Sequence, residues 1–131
     1  MKYSKEIFYQ EFIRREDSTN RAPYNPELEF YSIIQNGDIE QVKELCKASP
    51  LKDKKGLGLL SEKPVNNIRY HFVITTALVA RYCIEGGLDV ATAYNLSDFY
   101  IKKSDTMKSV EDISELHAFM CIDYAKKNAK P

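Results

Sequence analysis

Residues 66–87 read NNIRYHFVITTALVARYCIEGG, and the reading of this stretch decides the fold. Asparagines open it, Gly86-Gly87 closes it, and the residues between are mostly apolar. At about 1.5 Å per residue, a helix of this length spans roughly 30 Å, the width of a small domain. Ile68, Phe72, Thr75/Thr76, Val79 and Cys83 recur at helical spacing, and Val73, Leu78 and Ala80 fill the other faces. A helix that is apolar almost all round belongs in the centre of its domain. The β-branched run Val73 to Thr76 would suit a strand, but the length favours a helix. Asn66–Glu85 is therefore expected to be the buried central helix, started by Pro64 and Asn66.

Upstream, Asn25 and Pro26 are a helix start, with proline pre-set for the first turn. The helix Glu27–Gln35 places Leu28, Tyr31, Ile34 and Phe30 on one broad face. Asn36-Gly37 stops it, and Asp38 caps a second helix with Gln41 three residues on. So short a break predicts a tight antiparallel pair. The pair is similar to one ankyrin helix-loop-helix, but no TPLHxA element and no 33-residue period follows. Residues 4–16 carry Ile7, Phe8, Phe12 and Ile13 among charges, as a short amphipathic helix or arm does. DSTNRAPYNP after it is loop-like. Lys47–Lys63 is the least regular segment, expected to be a loop with Leu57, Leu59 and Leu60 tucked onto the core. Its Gly56 and Gly58 lack the spacing and the preceding strand of a phosphate loop.

Downstream, Asp89 is expected to cap a short helix, DVATAYN, and Ser97 a separate one, LSDFYIKKSDTMK. Ser109 with Asp112 resembles a capping box. It opens a last helix with a stripe of Val110, Ile113, Leu116, Met120 and Tyr124, widened by Phe119 and Ile122. The expected fold is all-α: a single globular helical domain of five to seven helices. Residues 1–24 form an arm or short helix, 25–127 the helical domain, and 128–131 a frayed tail.

Composition narrows the function classes. The 131 residues are 44% hydrophobic and 29% charged, ordinary values for one domain. Lys plus Arg number 19, as do Asp plus Glu; 11 of each sign lie up to Lys63 and 8 of each beyond it. Nucleic-acid binders draw most of their affinity from neutralised phosphates and show a basic footprint, which is missing here. No signal-peptide core opens the chain, and the apolar run 72–84 is too short to span a bilayer. Three dispersed cysteines, Cys46, Cys83 and Cys121, make no CxxC pair. Cys83 and Cys121 sit in apolar runs and are read as small hydrophobes, in keeping with a reducing, cytoplasmic setting.

Chemistry-bearing motifs are lacking. His71 and His117 are read as having no metal-ligand partner at i+4, and there is no HExxH, so each is expected to make an ordinary hydrogen bond. No GxSxG elbow and no catalytic cysteine context appears, and the carboxylates are scattered. The chain is therefore not expected to be an enzyme, and no metal or cofactor is implied. Arg69 and Arg81 interrupt the apolar helix and need partners: Asp98, Asp123 or a helix end. Alternatively they belong to a small-ligand pocket with Tyr70, Tyr82, Tyr94 or Tyr100.

Taken together, PYNPELEFYSIIQNGDIEQV, GLGLLSEKPVNNIRYHFVITTALVARYCIEGGLDVATAYNLSDFYI and SVEDISELHAFMCIDYA resemble the N-terminal helical half of AraC-type transcriptional regulators of Firmicutes. That group reads similarly at a GD turn, at LS..P..N..Y.F, at R..IEGGL, at Y.LSD.YI and at LH..M..D, in this order. The resemblance covers roughly Phe12 to Asp123. It implies a regulatory domain that senses a small-molecule effector, self-associates as a homodimer, or both. DNA contact would be indirect, through a C-terminal half with two helix-turn-helix motifs that is absent from these residues. The other function class to weigh is a stand-alone helical interaction module, such as an ankyrin-like adaptor.

Overall fold

Proline at the first helical position needs no partner for the N–H it lacks, and the long central helix starts at Pro64 on an extended Lys63 without a side-chain cap. The asparagines that follow have other tasks. Asn66 Oδ1 accepts from Arg69, and Asn67 Oδ1 accepts from the backbone N–H groups of Leu60 and Ser61, at 2.6 and 3.1 Å, fixing the approach to the helix. The computed structural model describes residues 1–16, 24–54 and 56–130, apart from the side chains of Arg15, Glu16, Tyr24 and Asn25. The second helix already starts at Tyr24 and takes in Asn25 and Pro26, so Asn25 lies inside it and not at its cap position, and the rest of the loop expected over 17–26 lies outside the described residues. Within them are six α-helices and no strand: α1 (Ser4–Glu16), α2 (Tyr24–Gln35), α3 (Ile39–Ala48), α4 (Pro64–Glu85), α5 (Val90–Asp105) and α6 (Val110–Asn128), with a 3-10 turn at Leu51–Asp53. The fold is all-α, as expected, and its helices pack around one core.

Helix α4 is central but not buried all round. Ile68, Phe72, Thr76, Val79, Ala80 and Cys83 form its buried face, set against α2, α5 and α6. Tyr70, Ile74 and Arg81 face solvent. Residues at i, i+4 and i+7 stack on one side of a helix, and three neighbouring helices cover that side only. Thr76 is fully buried, and its hydroxyl donates to the Phe72 carbonyl at 2.8 Å, so a polar atom is carried into the core without loss.

Two helix junctions match their sequence signals. Gly37 takes φ 72° after α2, and Asp38 accepts from the Gln41 N–H at 3.2 Å at the start of α3. Ser109 accepts from the Asp112 N–H at 3.1 Å at the start of α6. One expected junction does not exist. Asp89 caps α5 through the Thr92 N–H, but the helix then runs unbroken to Asp105, with Ser97 buried in its middle. Nothing between them breaks a helix, and packing of the small serine against the core outweighs its preference for a cap.

Three apolar assignments also change. Leu59 and Leu60 are exposed and Leu57 is only half-buried; the leucine that anchors this segment is Leu51, in the 3-10 turn, at 2% exposure. Phe119 is 69% exposed and so does not widen the stripe of α6. Every described side chain of α1 faces solvent. No helix of the described residues is long and apolar enough to cross a membrane.

The segment expected to fray from residue 128 is instead held at Asn128, whose side chain is buried at the end of α6. Its Nδ2 donates to the carbonyls of Gln35 and Cys83, both at 3.1 Å, and so ties α6 to the ends of α2 and α4. Two glycines permit the approach. A Cβ on Gly37 would stand 2.5 Å from Ala129 Cα, and one on Gly86 would stand 2.8 Å from Asn128 Nδ2. Replacing Asn128 with alanine removes both bonds and leaves the Gln35 carbonyl without this partner, while the Cys83 carbonyl keeps the Leu88 N–H; it is expected to lower stability by about 2 kcal/mol in urea unfolding. Lys127→Ala, one position away, loses only a half-exposed pair with Asp123 and should cost about 0.5 kcal/mol or less. Equal losses for the two variants would dismiss the tie.

Candidate functional site

A cavity of about 420 Å³ opens between α2, α3, α4 and α6, roofed by the segment from the 3-10 turn to Leu57. Each wall follows from the local sequence. On α2, Phe30 and Tyr31 point inward, and the Tyr31 hydroxyl donates to Glu27 Oε1 at 3.1 Å. Burial first, and then the Glu27 carboxylate, push the Tyr31 hydroxyl far above its ordinary range, so it stays protonated and donates. On α4, His71 and Thr75 lie one helical turn apart on the cavity side. The His71 Nε2 meets the Gly58 carbonyl at 2.5 Å and holds the roof segment against α4. Lys54 lies 5.6 Å from the centre of the Phe30 ring, over its face.

At one end of this cavity three side chains with ligand chemistry converge. Cys46 comes from α3, and His117 and Cys121 come from successive turns of α6. Their sulfur and ring-nitrogen atoms all lie within 4.8 Å of one another, and all three residues are buried. The Cys121 Sγ is 3.7 Å from His117 Nε2. The Phe30 ring lies nearly parallel to the His117 ring, at 6.2 Å and 11°. Cys46 and His117 also line a second cavity of about 310 Å³ on the far side, with Lys52, Glu111 and Ser114. The cluster thus stands in the partition between two cavities.

The electrostatics sort the three groups. Burial, and then the charge of Lys54, push the His117 imidazole down to about 4, so it is neutral at neutral pH. Burial, and then the neighbouring Cys46, hold the Cys121 thiol well above its usual range. Contact with the Cys121 thiol lowers Cys46 against the opposing effect of burial, and Lys54 adds to the lowering. Cys46 is the more acidic thiol of the pair. Cys83 is pushed up to about 12 by burial and packs as a small hydrophobe, as expected.

No protein-family model, no curated protein and no solved structure matches this chain. The site is therefore judged on its geometry.

The residues singled out in the sequence sit elsewhere. Arg69 clamps the end of α5, donating to the Ser104 carbonyl at 3.2 Å, to the Met107 carbonyl and to Asn66. A helix C-terminus is a natural seat for a cation, and a helix end was one of the expected partners. Arg81 and Tyr94 do come together, guanidinium over ring at 5.6 Å, but on the surface. Tyr70 is exposed. Tyr100 donates to Asp123 at 2.6 Å, between α5 and α6. Tyr82 stacks at 5.1 Å on Tyr31 and so touches the cavity wall from behind. None of the six lines the main cavity.

His117 does have a ligand partner at i+4, contrary to expectation: Cys121, on the same face of α6. That H-x-x-x-C spacing was visible in HAFMC, although a search for paired histidines passes over it. Cys46 had no local signal at all, because its place depends on the packing of α3 against α6. The separation of the arginines from the cavity is testable. Arg69→Ala should lower stability by about 2 kcal/mol, since three charge-assisted bonds are lost, whereas Arg81→Ala should cost about 0.5 kcal/mol. Chemical denaturation of both variants measures this, and a larger loss for Arg81 than for Arg69 would contradict the clamp.

Proposed function

We propose that this chain is the regulatory domain of an AraC-type transcription regulator, and that its small-molecule effector occupies the 420 Å³ cavity between α2, α3, α4 and α6. The observation that carries the proposal is the cavity itself: a mostly apolar hollow with a few converging polar groups is the usual form of a small-ligand site. The ordered elements of the sequence resemblance supply the regulatory half of the reading. DNA would be read by a C-terminal half outside this chain, in keeping with 19 basic and 19 acidic residues. The adaptor alternative gains less support, because only α2 and α3 resemble an ankyrin pair and the other core helices pack around α4 and α6 rather than as stacked pairs.

Filling the cavity tests this directly. Leu57→Trp places a large ring at the roof, next to His71 and Thr75, where the effector would sit. An apolar fluorescent probe at about 100 times its dissociation constant should stabilise the unaltered chain by about 2.7 kcal/mol, and the tryptophan variant hardly at all. Probe uptake that survives the substitution would place the ligand elsewhere. Strong, salt-dependent affinity of this chain for duplex DNA would refute the division of labour.

Helix α1 supports the self-association part of the proposal. Ile7, Phe8, Tyr9 and Phe12 are all exposed on it, which is costly in water unless another surface covers them. Light scattering should find a homodimer for the unaltered chain and a monomer for the Phe8→Glu/Phe12→Glu double variant, with far-UV dichroism unchanged. A monomer at every concentration for the unaltered chain would remove self-association from the proposal.

A further inference from the structure

We propose that Cys46, His117 and Cys121 form a binding site for one thiophilic divalent cation of the zinc type. Three observations carry it. First, the donor set is right: two thiols and an imidazole match the sulfur and nitrogen preferences of zinc. Second, the spacing is close to what coordination needs. Zinc–sulfur bonds of about 2.3 Å and zinc–nitrogen bonds of about 2.0 Å place tetrahedral ligand atoms roughly 3.4–3.8 Å apart. The Cys121–His117 edge is already 3.7 Å, and no edge of the triangle exceeds 4.8 Å, so a closure of about 1 Å is the most that coordination requires.

The third observation is charge. When the cation binds, the two thiols release their protons to solvent as the two metal–sulfur bonds form, while neutral His117 contributes a lone pair. A divalent cation, two thiolates and one imidazole sum to zero, so the burial of the finished site does not strand a net charge. Cys121 is the deepest of the three at 0% exposure and lines neither cavity, whereas Cys46 and His117 line both. The fourth coordination position therefore faces a cavity and is open to water or to a donor atom of a cavity ligand, as in zinc sites that are not purely structural.

The site joins α3 to α6 and does not depend on the regulatory reading; it would stand in an adaptor equally well. Cobalt(II) is the probe. Added to the fully reduced chain, it should bind one per chain and give thiolate-to-cobalt charge-transfer bands with tetrahedral visible bands. Zinc should abolish these bands and raise the melting temperature. Cys46→Ser and Cys121→Ser should each lose the sulfur-to-metal bands in proportion, with affinity falling by more than the roughly tenfold that loss of an outer partner costs. His117→Gln should weaken binding similarly, and Cys83→Ser should change nothing.

The spectrum of the unaltered chain decides the main question even if a variant fails to fold. Absence of the bands in reduced protein overturns the proposal, as does their persistence at full intensity in Cys46→Ser or Cys121→Ser. A Cys46–Cys121 disulfide formed under mild oxidant, seen as loss of two hydrogens by mass, together with no metal uptake in the reduced chain, would also overturn it. Failure of cobalt to bind would leave an organic effector in the main cavity possible to detect with the apolar probe, and loss of probe binding would leave the cobalt result intact.

Discussion

Three helix ends meet at one carboxamide, and the arrangement of the molecule depends on it. Asn128 donates to carbonyls in the last turns of α2 and α4 from the last residue of α6, so three helices far apart in sequence are indexed to one another at a point. The approach is close enough that Gly37 and Gly86 have no room for a Cβ. It carries a cost, since the Oδ1 of Asn128 is buried without a partner. The same three helices help to wall the main cavity.

Four other buried polar groups are satisfied by a backbone carbonyl. Tyr124 donates to Ala93, Thr76 to Phe72, Ser104 to Ile101, and His71 pairs with Gly58. The first of these bonds joins α6 to α5 and the last joins α4 to the roof segment, while the other two lie within α4 and α5. Cys46, His117 and Cys121 differ, because their ligand atoms face one another rather than the backbone. Three groups of hydrogen-bonding and metal-binding chemistry that share only each other's company are weakly compensated for burial, and a cation compensates all three together.

Local signals carried the fold, and long-range ones carried the site. Gly37, Asp38, Asp89 and Ser109 act within a few residues of themselves, so their glycine, cap and capping-box patterns could be read directly and proved right. Ser97 misled because its cap chemistry is real but its burial is decided by α4, a partner no local pattern names. Leu59 and Leu60 misled for the converse reason: the roof segment is anchored by Leu51 and His71, which leaves those leucines outside. Arg69 was legible as a cation in need of a partner, and the partner was one of those expected. The cavity was not legible, since its walls come from four helices and a turn. Of the metal triad, two members could have been seen in HAFMC, while the third required the docking of α3.

Where the cluster lies gives it leverage over the rest of the bundle. His117 and Cys121 occupy one turn of α6, and Asn128 ends the same helix two turns later, roughly 10 Å along its axis. Cys46 occupies α3, which Gly37 and Asp38 join to α2 with no slack. Drawing Cys46 toward α6 would therefore move α3 and, through the short turn, the end of α2 where Gln35 meets Asn128. A packed helix pair of this kind answers a local pull by shifting as a unit, because its side chains interdigitate. In the proposed regulator, occupation of the cluster or of the adjoining cavity would thus be felt at the end of α6, on the path to a DNA-binding half.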